Sequence, residues 1–287
     1  GQHARSPWFG VACCPSNMTR FLASVPGYVY ARQGETLFVN LYVAGTATIE
    51  GLGPRGTPVR IVQDTKYPWE GAVRITIEPQ VAGHFGVKLR VPGWARGEAV
   101  PGGLYRFLDA ASSGPVITLN GSPVPVALDR GYVTIARDWR RGDTILIDFP
   151  MPVRRVVADD RVAADRGRVA LQRGPVVFAA EWPDNEGGRV RNLVLPDTAA
   201  LRSEFRPGLL GGVQVVVGKG TGLSLDEKGR VIEGERTVTA IPYATWANRG
   251  RGEMAVWLAR ATGVAKPAPF PSLAVTGKVT TSESRKY

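Results

Sequence analysis

Cysteine is nearly absent: the 287 residues include two, Cys13 and Cys14, side by side. That excludes a disulfide framework. A bond between the pair is also geometrically poor, because neighbouring Cα atoms sit ~3.8 Å apart across a trans peptide, below the ~4.4 Å lower end for disulfides. Histidine is equally scarce, with His3 and His84 alone. No stretch approaches the ~18 apolar residues a membrane-spanning helix needs, so no membrane partner is expected. Residues 1–34 contain no Asp or Glu. The first residue is Gly1 rather than Met, and nothing near it has the form of a signal peptide. The true N-terminus is therefore expected to lie outside the sequence, which leaves the cytoplasm and periplasm of a bacterium equally open.

The charge balance is lopsided, at +11 with 36 Lys and Arg against 25 Asp and Glu. The basic residues are mostly arginine and spread along the whole chain. The densest clusters, Arg140-Arg141 and Arg154-Arg155, have Asp138, Asp143 and Asp159 close by. No Lys/Arg run of the kind that marks a nucleic-acid patch is present. Arginines on a solvated surface are expected instead, with no nucleic-acid partner. Hydrophobic residues make up 44% and charged residues 21%, a globular composition. With 35 Gly and 22 Pro, and strand-like runs that are short and frequent, the pattern favours a mainly β architecture.

Residues 1–27 differ from the rest. Pro15 suits the first turn of a helix, and Met18, Phe21, Leu22 and Val25 then fall on one apolar stripe. Pro26-Gly27 ends it. One short amphipathic helix cannot bury its own stripe, so it needs partners beyond the chain or docks on sheets. From Tyr28 the period becomes two. Tyr28-Val29-Tyr30 and 37–43 read as a hairpin around Gly34. Val73, Ile75 and Ile77 alternate with polar residues, as do Phe85, Val87, Leu89 and Val91. Val116-Ile117-Thr118-Leu119 runs into Asn120-Gly121, a strong hairpin signal. Strands at 132–135 and 144–147 complete a β-sandwich or jelly roll. Pro150-Met151-Pro152 marks a boundary. Beyond it, 169–171, 176–178, 213–217, 237–239 and 254–258 predict a second sandwich. The expected divisions are 1–27, 28–152, 153–262 and a linker-like 263–287.

Cys13 and Cys14 sit where a helix begins, where free N–H groups and the helix dipole favour anions. Paired thiolates suit zinc, which usually takes four ligands. The plain alternative is a pair of inert core thiols, since free cysteine is commonly buried. Spacing alone leaves both open.

The surroundings carry more. Trp8-Phe9-Gly10-Val11-Ala12-Cys13-Cys14-Pro15-Ser16-Asn17, with Arg20 one turn on, resembles the cysteine motif of glycoside hydrolase family 127, shared with family 146 and the former DUF1680 group. The strings 65–71, 89–95 and 137–143 are similar to segments of that family's first β-domain, and 167–175 and 241–250 to segments of its second. The resemblance runs in order from Trp8 to about Leu258. It implies a helical (α/α)6-type barrel, of which 1–27 would be the end, followed by two jelly-roll-like β-sandwich domains. It implies β-L-arabinofuranosidase activity on arabinose-containing plant glycans or oligosaccharides, and zinc held by one glutamate and three cysteines. By motif position Cys13 corresponds to the nucleophile, which is also a metal ligand, and Cys14 to a second zinc ligand. The other two ligands and the acid/base glutamate would precede Gly1, consistent with the absence of acids in 1–34. Such a fragment is expected to be inactive alone. A homodimer is one assembly left open.

A reading from another class is a non-catalytic β-sandwich module that binds glycans or supports a partner. Other candidate residues weigh less. His3, ten positions before Cys13, is a candidate sugar or metal contact, but as an end residue it is expected to be solvated; His84 is expected in a surface turn. Trp69, Trp94, Trp139 and Trp246 are a possible sugar-stacking platform, but are expected to plug sandwich ends instead.

Overall fold

The computed structural model describes residue 5 and residues 10–109 and 113–270; His3, Trp8, Phe9 and the tail from 271 lie outside them. Helix α1 (Cys13–Ser24) leads directly into a short α2 (Pro26–Val29). Twelve strands follow up to the 150–152 prolines. They are β1 (Tyr30–Gln33), β2 (Thr36–Val39), β3 (Gly45–Ile49), β4 (Val59–Thr65), β5 (Ala72–Pro79) and β6 (Gly83–Arg90). Then come β7 (Tyr105–Phe107), β8 (Val116–Leu119), β9 (Ser122–Pro123), β10 (Leu128–Asp129), β11 (Tyr132–Trp139) and β12 (Asp143–Asp148). Eleven of these form two facing sheets, ordered β1-β2-β6-β11-β10 and β3-β4-β5-β12-β8-β9.

Alternation explains the pairing of these layers. On β5, Val73, Ile75 and Ile77 point inward, and on β6, Phe85, Val87 and Leu89 do the same; all six are buried in one core. At its centre Trp139 is 0% exposed, stacks on Phe85 with ring centroids 5.7 Å apart, and donates its indole N–H to Phe85 O at 2.9 Å. Asn120 and Gly121 both take left-handed φ, 51° and 83°, as a two-residue hairpin turn requires. Asp143 ties that turn to the next, accepting from Asn120 Nδ2 at 2.8 Å and Arg140 N–H at 2.9 Å. Burial alone would raise its pKa, but these hydrogen bonds outweigh burial and hold the carboxyl below its ordinary value.

The second layer system uses β13 (Val153–Ala158), β14 (Arg168–Arg173), β15 (Val176–Glu181), β16 (Leu193–Val194) and β17 (Leu201–Arg206). It continues with β18 (Val213–Leu225), β19 (Val231–Pro242), β20 (Met254–Ala255) and β21 (Leu258–Ala259). Its layers are joined at their edges. Hydrogen bonds run from β15 through β19, β18, β16, β21 and β14 back to β15, around a core that includes Leu171, Phe178, Val216 and Leu258.

The structure revises several expectations. Tyr28-Val29 is helical rather than strand, because Tyr28 N–H donates to Val25 O in the turn that Pro26 opens. The 37–43 run stops pairing at Val39, and Tyr42 turns inward to donate to Arg90 O at 2.5 Å. The 254–258 run splits into β20, paired with β15, and β21, paired with β14. His84 lies on strand β6 rather than in a turn. β7 leaves the first domain's sheets and pairs with β13. Arg154 and Arg155, expected on a solvated surface, are each only 7% exposed. The Arg154 guanidinium lies 3.5 Å from the Phe107 ring centroid, and Arg155 pairs with Asp109 at 3.4 Å. Strand β13 is interior, between β7 and β14, and its successive side chains project to opposite faces, where Phe107 and Asp109 cover these two arginines.

Helix α1 buries nothing. Met18, Phe21 and Leu22 are all exposed, Leu22 by 62%, so the apolar stripe does not dock on either sheet. In denaturant unfolding of the 287-residue protein, Phe21→Ser and Leu22→Ser should each change stability by no more than about 0.5 kcal/mol. Trp139→Ala should cost about 3–5 kcal/mol. A loss at Phe21 comparable to that at Trp139 would show that the stripe is buried.

Candidate metal-thiolate site

Helix α1 begins without a side-chain cap: Ala12 is the N-cap residue. Cys13 and Cys14 are its first two residues, and Pro15 follows where its missing N–H costs nothing. Ser16 Oγ donates to Ala12 O at 3.0 Å and to Cys13 O at 3.1 Å, drawing the first turn together. One turn on, Arg20 reaches Asn17 Oδ1 at 3.4 Å.

The two sulfur atoms are 3.8 Å apart. Two thiolates at about 2.3 Å from one tetrahedral zinc ion would be separated by about 3.8 Å. The pair therefore fits one edge of such a site. Both cysteines are free and exposed, so they are not core thiols here. Among the described residues no group of three or more His, Cys, Asp or Glu is placed to hold an ion. The residues present fit half of a four-ligand site.

Arg5 is tied to a loop far along the sequence. Arg5 donates from Nε to Trp246 O at 2.9 Å and from Nη2 to Ala244 O at 2.8 Å. The 243–250 loop that receives these bonds is held from beneath by a buried charge cluster. Arg249 pairs with Glu181 and, at 2.5 Å, with Asp184, both carboxylates being almost fully buried. Asp184, with Glu181 adding to it against the effect of burial, pushes the Arg249 pKa upward. Glu181 also accepts Ala247 N–H at 2.7 Å. Gly252 follows, where a Cβ would come within 2.0 Å of the Trp182 ring. Any larger residue there would displace Trp182.

Among the described residues, Trp69, Trp94, Trp139 and Trp246 do not stack on one another as a platform. Trp139 is core; Trp94 stacks on Tyr67 and donates to its hydroxyl at 3.2 Å. Trp246 packs on a small core with Val213 and Ile241 and stacks with Tyr243. Trp69 departs from the plugging role: it is 42% exposed, and its carbonyl accepts from Arg173 across the domain boundary. His84 lies on the wet face of β6, 3.4 Å from Asp138. Sequence reasoning missed Arg5 and the Arg249 cluster. Arg249 sits in the 241–250 string that carried the family resemblance, whereas nothing in the sequence singles out Arg5.

Comparison with known proteins places this arrangement. The model for the beta-L-arabinofuranosidase, glycoside hydrolase family 127 middle domain matches residues 36–151, and that for the family's C-terminal domain matches 153–259. The chain belongs to glycoside hydrolase family 127. A curated relative, the non-reducing end beta-L-arabinofuranosidase of Bifidobacterium longum subsp. longum, is 34% identical over 276 residues, covering 89% of this chain and 38% of its own length. The solved structure of a family 127 beta-arabinofuranosidase superimposes with a TM-score of 0.88 at 39% identity, covering 94% of this chain and 42% of that one. A family 127 beta-L-arabinofuranosidase from Geobacillus stearothermophilus T6 gives a TM-score of 0.77 at 38% identity, covering 90% and 39%. The chain thus spans about two fifths of the length of these relatives.

Removing Arg249 would leave Glu181 and Asp184 buried without their counter-ion. Arg249→Met should therefore destabilise the family 127 chain by about 3–5 kcal/mol in denaturant unfolding. Arg5→Met, whose partners are two exposed-side carbonyls, should cost under about 1.5 kcal/mol. Equal losses would mean that the cluster is not the loop's main restraint.

Proposed function

We propose that this chain supplies the nucleophile of a retaining exo-glycosidase acting on β-L-arabinofuranosides. Arabinose-containing plant glycans or oligosaccharides are its substrates. The observation that supports this reading best is the Cys13–Cys14 sulfur separation of 3.8 Å on an exposed first helical turn, in a chain of this family.

Cys13 Sγ attacks the anomeric carbon as the bond to the leaving-group oxygen breaks, and an acid outside residues 1–287 protonates that oxygen. Water then displaces Cys13 from the sugar, giving up its proton to the same group, now a base. Two inversions at one carbon retain the configuration. Cys14 holds its sulfur beside that of Cys13 and so fixes the direction of attack. Cys13 and Cys14 would hold zinc, which would supply the positive charge that favours both sulfurs as thiolates. The ligands it still needs, one glutamate and one cysteine by family resemblance, would come from the part of the relatives' length that this chain does not span.

Serine variants of the two cysteines separate their roles in a protein of the relatives' length. Cys13→Ser should lower turnover of an aryl β-L-arabinofuranoside by at least about 10³-fold while zinc is retained, because the attacking atom is lost. Cys14→Ser should lower zinc content and activity together. A mechanism-based inhibitor should label Cys13. Full activity in Cys13→Ser, or label on Cys14, would overturn the assignment; full activity in both variants would favour the non-catalytic module.

A further inference from the structure

A second concave site lies in the C-terminal domain, built without the cysteine segment. At the start of β14 the Arg168 guanidinium reaches toward Trp257 O and Val264 O, at 3.4 Å each. Both contacts are long, so the guanidinium keeps donor capacity. Arg191 and Lys266 line the same cavity of about 160 Å³, with Trp257, Met254 and Leu193 as its apolar wall. The Lys266 segment is fixed there, since Lys266 N–H donates to Arg191 O at 3.0 Å and Ala268 N–H to Leu223 O at 2.9 Å.

The charge balance of this cavity is one-sided. None of its lining residues is acidic. Among the described residues, Arg168, Arg191 and Lys266 form no ion pair within 4.0 Å. The carboxylate next along the chain, Glu253, is taken up by Arg189 at 2.9 Å and by the N–H groups of Val190 and Arg191 at 3.0 and 3.2 Å. Other arginines of this domain have found carboxylates: Arg260 pairs with Asp197, and Arg249 with Glu181 and Asp184. Arg168, Arg191 and Lys266 all line one hollow and carry the same charge, so an oxyanion there would be attracted by all three. A guanidinium fork matches a carboxylate in geometry as well as in charge. The hollow is smaller than the roughly 300 Å³ at which drug-sized ligand pockets begin, space for one small ring rather than a chain. An indole wall beside fixed polar groups suits a ring with an apolar face.

We propose that this cavity binds the carboxylate-bearing ring of an acidic sugar, with Arg168, Arg191 and Lys266 facing the carboxylate and Trp257 beside the ring. The site is separate from Cys13 and Cys14, and its ligand need not be the sugar that is cleaved.

Calorimetric titration of the 287-residue protein at low salt, with galacturonate, galactose and inorganic phosphate as probes, tests this. Galacturonate should bind at one site, weakening as salt is added, and galactose and phosphate should each bind at least tenfold more weakly. Lys266→Gln, an exposed position expected to leave the melting temperature unchanged, should weaken galacturonate at least tenfold, and Arg168→Gln likewise. Absence of galacturonate binding at millimolar concentrations would overturn the proposal. So would galactose or phosphate binding as well as galacturonate, or an unchanged affinity in folded Lys266→Gln.

Discussion

A guanidinium placed between two nearly buried carboxylates governs how this chain presents its chemistry. Arg249 joins Glu181 and Asp184, and Glu181 uses its second oxygen on Ala247 N–H. Neither carboxylate can be left without its counter-ion at small cost, so the 243–250 loop has one well-determined path over the end of β15. Gly252 lets the chain pass against Trp182. Arg5 then hangs from the carbonyls of Ala244 and Trp246. Arg5 is therefore anchored to a loop some 240 residues later in sequence.

The two β-domains and the helix stand in different energetic positions. Each domain closes its own core, the first around Trp139 and Phe85 and the second around Phe178 and Val216. Neither core uses a residue of α1. The helix offers Met18, Phe21 and Leu22 to solvent, an apolar stripe that helical propensity alone would not keep stable in a twelve-residue segment. Its two cysteines lie on the same exposed element. The energetics of the fold are thus contained in the sheets, and the chemistry proposed for the chain sits on a helix that they do not bury.

Much of the fold was legible because burial on one face leaves a period of two. Val73, Ile75 and Ile77, and then Phe85, Val87 and Leu89, were readable as inward rows, and Asn120-Gly121 as a turn needing two left-handed residues. What stayed hidden depended on partners distant in sequence. Arg154 and Arg155 read as solvated charge until Phe107 and Asp109, on and just beyond a strand that crosses between domains, were placed beside them. The run at 254–258 could not announce that its two ends pair with different strands. Tyr28 was claimed for a strand because aromatic alternation looks the same in the turn that Pro26 opens. At the candidate site the cysteines and their helix were legible, since Pro15 and the apolar stripe are local signals. The Arg5 anchor was not, because a lone arginine before a motif carries no local signature of its acceptors.

On the reading proposed for this chain, Cys13 and Cys14 act together as two of the four ligands of one metal ion. Titration of the 287-residue protein with cobalt(II), a spectroscopic stand-in for zinc, reads this directly. The expected result is thiolate-to-metal absorption of the intensity given by two sulfurs per ion, lost in Cys13→Ser/Cys14→Ser and readily removed by a chelator, because two of four ligands are missing. Cobalt binding without thiolate absorption, or binding unchanged in the double variant, would contradict the claim.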